Sequence, residues 1–445
     1  MHTSRDPRER GAARSGHRPG RARRALLLLT AALLAAATAC GTDGPTRPLP
    51  GPEGHAVIRV PQDAPSIQRA VDLTRPGDLV LVQPGVYRES VTVRTARVVL
   101  RGADRNRTVI DGEFRRANGV TVTGAESVVE NLTVRNHLAN GVLFTGVTDE
   151  RLQSRGAGGQ EYEPLDTVKF PALRGFRASY VTAYDNALYG VYAFDARDGV
   201  IEHSYASGHA DSGIYVGQCR PCATVVRHNT LEHNAVGLEV TNASERLSFL
   251  GNTIRQNRVG VTVNSNDIEA LAPQHDAVFA GNAITDNNTA QSPEQAEGGF
   301  GIGVGVGGGT GNVFERNLVT GNRAAGFLLT DVQGYPVRGN TVRGNRVSGN
   351  GVDLVLAGSG DNCFSGNVSG TGRPAGGCGG ASALDAVGSG PRPVPVPPGM
   401  SFKHVPPPGP QPGLPSAPSA RPVPAVGLPG PVRPADFPLP APPKR

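Results

Sequence analysis

Four stretches decide the fold: Gly190-Val191-Tyr192-Ala193, Gly213-Ile214-Tyr215-Val216, Gly237-Leu238-Glu239-Val240 and Gly260-Val261-Thr262-Val263. Their glycines are separated by 23, 24 and 23 residues, and each opens a run in which apolar and other residues alternate. The same phrase is read at Gly141 (Val142, Phe144), Gly326 (Phe327, Leu329) and Gly351 (Val352, Leu354). A period of this length with one strand phrase per unit predicts a stacked solenoid, in which each unit buries its apolar side only against its neighbours. A second column, Asn229, Asn252, Asn282, Asn317 and Asn340, runs beside it, each asparagine standing two residues before an aliphatic. Asparagines stacked coil on coil bond amide to amide, which rewards the same residue at every level. Short strands, tight turns and little helical periodicity together predict an all-β right-handed parallel β-helix, with coils stacked at about 4.8 Å. The longer steps between 264 and 312 predict inserted loops.

The ends of the chain differ from this body. Residues 1–24 carry eight arginines and two acids, Leu26–Ala39 is apolar, and Cys40 follows Ala37-Thr38-Ala39. An arginine-rich start, a short apolar run and small residues before a cysteine are expected to form a signal peptide (1–40), too short to span a membrane. Ala37–Cys40 resembles a bacterial lipobox, so lipidation at Cys40 and residence on the outer face of the cell membrane are expected; plain secretion is the alternative. Residues 41–54 read as a linker, 55–383 as the rod, and 384–445 as a proline-rich disordered tail, with 21 of the 38 prolines after residue 390. Pro65 and the stripe Ile67, Ala70 and Val71 predict a short helix capping the open N-terminal end of the solenoid. The net charge of +6 resides in the leader. Without residues 1–40 the chain holds 36 basic and 36 acidic residues, which argues against a nucleic-acid partner. Four further cysteines, Cys219, Cys222, Cys363 and Cys378, are expected to form disulfides in an exported protein. Neighbour pairing is the simplest of three connectivities, and a redox or metal role for Cys219-Arg220-Pro221-Cys222 is the alternative.

The opening Pro65-Ser66-Ile67-Gln68, Pro76-Gly77-Asp78, Gly85-Val86-Tyr87, Gly102 and Ile110-Asp111-Gly112, with the glycine and asparagine phrases, resembles the pectin-lyase-like superfamily of parallel β-helix proteins. The resemblance covers about 55–383. It implies the fold and leaves the activity open, because that superfamily holds lyases, hydrolases, epimerases, esterases and non-enzymes. The signature phrases of its pectin methylesterases, polygalacturonases and alginate epimerases are missing. With two methionines and no His–Met cluster in the sequence, soft copper ligation is not expected. No cofactor and no metal site are implied.

Register then places chemistry. If the first and third residues after each glycine point inward, the second faces out, giving the column Leu143, Tyr192, Tyr215, Glu239 and Thr262. Six of nine tyrosines fall between 180 and 215. Tyr189, Tyr192, Tyr215, His233 and Glu239 are the expected polysaccharide-binding residues, since tyrosine offers a flat apolar face with a polar tip. His209, Asp211 and Arg258 are the expected catalytic residues, as acid or base, its partner, and a clamp for a uronic acid. His203 is read as a ladder residue. Residues 148–172, with Tyr162, Asp166 and Lys169, break the repeat and are the expected cover over the tyrosines. The alternation Gly301–Gly307 reads as a strand with Ile and Val inside. The expected function is an envelope-anchored protein that binds, and in one version cleaves or modifies, an acidic extracellular polysaccharide. The alternative is a non-catalytic envelope rod whose proline-rich tail engages cell wall or a protein partner.

Overall fold

The computed structural model describes residues 46–51, 54–153, 164–295, 299–372, 390–415 and 433–442. The chain divides into two units, Met1–Gly44 and Pro45–Arg445, and the described residues belong to the second. The leader with Cys40, part of the linker, Tyr162 and Cys378 lie outside the described residues.

Each coil contributes one short strand to each of three parallel sheets, which hold twelve, eleven and ten strands. Val225–Arg227, Thr230–Glu232 and Val236–Ala243 form one coil; Leu247–Leu250, Thr253–Arg255 and Val259–Asn264 pair with them in register as the next. We number the sheets in that order. Alternation sends Val226, Leu231, Leu238 and Val240 into one continuous core, and interior rings stack along the axis, Phe249 on Phe279 at 4.5 Å and Phe279 on Phe314 at 4.7 Å. Each such aliphatic contributes about 1.5–3 kcal/mol. Helix Ile67–Asp72 caps the N-terminal end with Ile67, Ala70 and Val71 buried. Ser66 accepts from the Arg69 amide at its start, and the Glu89 carboxylate accepts the Ile67 and Gln68 amides.

Corners are built from two kinds of column. One is a left-handed residue in each coil: Tyr180, His203, His228, Gly251, Gly281 and Arg316 between sheets 1 and 2, and Asp185, Gly208, His233, Gln256 and Asp286 between sheets 2 and 3, all with φ from 51° to 71°. The other is an amide ladder pointing inward. Asn229, Asn252, Asn282, Asn317, Asn345 and Asn367 each accept, through Oδ1, both the backbone and the side-chain N–H of the residue one coil earlier, except that Ser204 offers Asn229 only its backbone. A second ladder, Asn234, Asn257, Asn287, Asn322 and Asn350, lines the next corner, and Gln274, Asn312, Asn340 and Asn362 line the third. The glycine column follows from the second ladder: a Cβ on Gly237 would lie 2.7 Å from the Gly260 carbonyl oxygen and 2.8 Å from Asn257 Nδ2.

Four sequence assignments are corrected by this register. Asn340 belongs to the third ladder, and Asn345 follows Asn317. Gly351 is not in the glycine column, because Phe327 pairs with Leu354 and so Asp353 stands beside Gly326. His203 is a left-handed corner residue, and Ser204 takes the ladder place. Within 301–307, Val304 and Val306 are inside while Ile302 is half-buried.

Residues 390–415 and 433–442 show no strand; two 3-10 turns, Phe402–His404 and Pro434–Asp436, interrupt an otherwise extended chain. The tail was expected to be disordered. These two segments instead lie against the rod, because its corners offer hydrogen bonds to proline carbonyls: Arg258 Nη2 to Pro397 at 2.6 Å, Arg105 Nη1 to Pro412 at 2.6 Å, and Arg316 Nη2 to Pro434 at 2.6 Å.

Leu238 has no exposure, so Leu238→Asp places an unpaired charge in the core. It is expected to lower the unfolding free energy by about 4 kcal/mol or more, or to prevent folding, whereas Ser248→Asp on the outer side of sheet 1 stays within about 0.5 kcal/mol. Urea unfolding of the two variants checks this.

Candidate functional site

The outer side of sheet 3 carries the register Leu143, Tyr192, Tyr215, Glu239, Thr262, Gly305 on successive coils. Tyr189, from the corner before, leans onto it. Ring centroids lie 4.4 Å apart for Tyr189 and Tyr192, 4.8 Å for Tyr189 and Tyr215, 4.9 Å for Tyr192 and Tyr215, and 5.4 Å for Tyr192 and Phe194. Spacings of this size make the four rings one aromatic surface. Tyr215 is only 2% exposed, because a loop, residues 265–276, folds back over it.

That loop brings in a residue the repeat pattern does not show. Tyr215 Oη donates to Glu269 Oε1, while Glu269 Oε2 is buried without a hydrogen-bond partner, as is Thr262 Oγ1. The loop is held in place from below. Asn242 Nδ2 donates to the Asn266 and Glu269 carbonyls at 2.7 and 2.8 Å, Gln218 Oε1 accepts the Ala270 amide at 3.0 Å, Arg220 Nη2 donates to Leu271 and Pro273, and Tyr335 Oη donates to Asp267 at 2.7 Å.

Beside Glu269 stand Asp211 and Glu239. Ser212 Oγ donates to Glu239 Oε2 and lies 3.1 Å from Asp211 Oδ1, tying the corner to the strand. Burial, reinforced by the Asp211 and Glu269 charges and by hydrogen bonding to Asp211, holds the Glu239 carboxyl well above its ordinary range; the Ser212 hydroxyl opposes this. Burial pushes Glu269 up to about 8, against the Tyr215 hydrogen bond and with the Asp211 charge adding to the rise. Tyr215 is raised well above its ordinary value, first by burial and then by Glu269. The result is a cluster of three carboxyls, two of them pushed well above the ordinary carboxylate range, beside stacked rings. Among the described residues, no group of three His, Cys, Asp or Glu is arranged to hold a metal ion.

The other expected residues lie elsewhere. His209 has no exposure: it occupies the inward ladder between Asn186 and Asn234, its amide bonded to Asn234 Oδ1 and its Nε2 3.3 Å from the Ala183 carbonyl. Burial lowers its pKa to about 4. A residue so enclosed has no access to substrate, which removes it from the catalytic set. Arg258 also has no exposure. It donates to the Pro397 carbonyl and lies 5.1 Å over the Phe300 ring, so it is not an open clamp for a carboxylate. Alternation fails for both because the chain leaves the strand at the corner, where position no longer fixes the face. His233 is half-buried in the left-handed corner column, away from the outward register. The cover over Tyr215 comes from 265–276. In 148–172, Glu150 instead pairs with Arg94, and residues 154–163 lie outside the described residues. Sheet 1 differs in kind: its outer carboxylates are committed to arginines, Glu202 to Arg177 and Arg227, and Glu315 to Arg316 and Arg343. Cys219 and Cys222 are bonded to each other, and Cys363 is disulfide-bonded to a partner outside the described residues.

A family model described as the right-handed beta helix region matches residues 118–272 and 175–372, together spanning more than half of the chain. The chain belongs to this family. The β-helix is similar to solved structures at low identity. The enzymatically active domain of bacteriophage CBA120 tailspike protein 2 matches at 11% identity over 67% of this chain and 44% of that one, with a TM-score of 0.44. Pectate lyase Pel9A matches at 15% identity over 69% and 72%, with a TM-score of 0.39. The A-module of the Azotobacter vinelandii mannuronan C-5 epimerase AlgE6 matches at 17% over 69% and 95%, with a TM-score of 0.38. The chain spans less than half the length of the tailspike domain. No curated protein sequence matches it.

Glu269 makes stability depend on pH. Below about pH 4.3 the carboxyl is protonated in both folded and unfolded chains; between there and about pH 8 the unfolded chain ionises and the fold does not. Stability is therefore expected to fall across that window. Glu269→Gln, which stays neutral, should recover about 1–3 kcal/mol at pH 8 and nothing at pH 4, read from urea unfolding at the two pH values.

Proposed function

We propose that the chain is an exported β-helix protein, held at the cell envelope through Cys40, that binds a polysaccharide along the outer side of sheet 3 and cleaves it there by acid–base chemistry. The convergence of Asp211 and Glu239 on Ser212, with Glu269 beside them on Tyr215, carries this reading. A carboxyl held protonated in a partly buried site is suited to protonate a glycosidic oxygen, and an ionised carboxylate beside it is suited to activate water or to stabilise the positive charge that develops on the sugar ring. Tyr192 and Tyr189 supply the surface on which a sugar ring stacks, and Glu269 with Tyr215 walls the site.

The substrate expected from the sequence was acidic, with Arg258 as its clamp. Arg258 is committed to Pro397, and the Asp211 charge beside Glu239 and Glu269 disfavours a carboxylate there. The reading favoured here is a neutral polysaccharide. The near-complete cover over Tyr215 favours a second reading, a binding rod without turnover, in which the same face holds a glycan at its Tyr189 and Tyr192 end.

Release of reducing ends from a panel of neutral and acidic polysaccharides tests the two. Catalysis predicts new ends on a neutral polymer, with Glu239→Gln and Asp211→Asn lowering the rate by about 10²–10⁴-fold. Asp361→Asn, exposed and outside the cluster, should leave the rate unchanged. Binding without new ends supports the second reading; neither binding nor new ends on any polymer removes both.

A further inference from the structure

Two tail residues sit where the rod lacks side chains. Between sheets 1 and 2 the left-handed column presents stacked rings, Tyr180 on His203 at 4.9 Å and His203 on His228 at 5.3 Å. The next two places are Gly251 and Gly281, which leave a ring-sized gap before Arg316. The Phe437 ring fills it, 5.5 Å from His228 and packed on Val225, Leu250 and Ala280. A Cβ on Gly281 would meet Phe437 Cβ at 2.8 Å and the Pro438 oxygen at 3.0 Å. Arg316 closes the gap from the far side, donating through Nε to the Phe437 carbonyl at 3.1 Å and through Nη2 to Pro434.

Between sheets 2 and 3 the left-handed column is interrupted at Gly208, between Asp185 and His233. Val405, 3% exposed, covers that glycine, with its Cβ 3.1 Å from where a Gly208 Cβ would stand. The two anchors share one local form. Each caps a 3-10 turn, Phe402–His404 or Pro434–Asp436, and each precedes a proline, Pro406 or Pro438. The turn aims the apolar side chain at the rod, and the proline holds the anchor extended. From Val405 at one corner the chain reaches Gln411 at the other, where Gln411 and Asn106 exchange two hydrogen bonds of 2.8 and 2.9 Å. It thus passes across the outside of sheet 2, where the outward Thr182, Tyr184, Tyr205 and Ser207 are buried.

We infer that the glycine gaps at the two corners flanking sheet 2 are docking sockets for a turn–apolar–proline motif, and that Val405 and Phe437 clasp the proline-rich tail onto the rod as an intramolecular ligand. The tail is then no free arm. Its availability to a cell-wall or protein partner requires that the anchors leave their sockets, and the same step uncovers the tyrosine side of sheet 2. This inference is independent of the carboxyl site on sheet 3.

Hydrogen exchange of the full-length chain tests it. The amides of Asp436 and Phe437 bond within their turn, to Arg433 and Pro434, and report whether the segment is held. Phe437→Ala is expected to speed their exchange by about tenfold or more. Gly281→Asn leaves the tail sequence untouched, suits the left-handed backbone and fills the socket, and is expected to do the same. Amides of Phe249 and Phe279 should keep their protection in both variants, showing that the rod is intact. Unchanged exchange at Asp436 and Phe437 in Phe437→Ala, or in a Gly281→Asn chain with an intact rod, overturns the inference.

Discussion

The amide ladder at the corners is the interaction on which the remaining structure depends. From Asn252 to Asn367 in the first ladder, each asparagine accepts on one oxygen the backbone and the side-chain N–H of the coil before, so the amides pair along the axis. The close stacking of coils leaves no room for a Cβ beside the next coil's carbonyl oxygen and the ladder side chain, which is why Gly190, Gly213, Gly237, Gly260, Gly303 and Gly326 recur. With the step fixed, outward residues of successive coils fall about 4.8 Å apart, close enough for rings and carboxyls to touch along a strip. Tyr192, Tyr215 and Glu239 are such a strip.

A regular rod offers no enclosed site, so enclosure has to come from what interrupts it. Loop 265–276 is inserted between two coils and is pinned by Asn242, Gln218 and Arg220 so that Glu269 returns over Tyr215. The cover removes water from Tyr215, Glu239 and Glu269 together, and burial is the leading cause of all three raised pKa values. The rod supplies the spacing, and the loop supplies the desolvation that turns ordinary carboxyls into groups able to hold a proton at neutral pH.

The coil period, the inward Leu238 and Val240, the outward Tyr192, Tyr215 and Glu239, and the capping helix are legible in the sequence because each repeats a local pattern set by alternation or by a missing Cβ. Register is lost where three different corners use the same residue type: Asn340 and Asn317 look alike in sequence and belong to different ladders. His209 and Arg258 are misplaced because alternation holds only inside strands. Glu269 was discoverable only as part of an insertion between Asn264 and Ala277, with nothing local to say that it folds back two coils. The anchors Val405 and Phe437 are two apolar residues in a proline-rich stretch, and the glycines that receive them lie far away in the chain.

The claim that joins fold to chemistry is that the sheet 3 cluster holds a proton at neutral pH. Infrared spectroscopy of the full-length protein, with carbon-13 carboxyl labelling of glutamate, reads this directly. A protonated glutamic acid band is expected to persist at pH 7, to lose its Glu269 part as pH passes about 8, and to lose intensity in Glu239→Gln and Glu269→Gln. A spectrum in which every glutamate is ionised by about pH 6 would contradict the account.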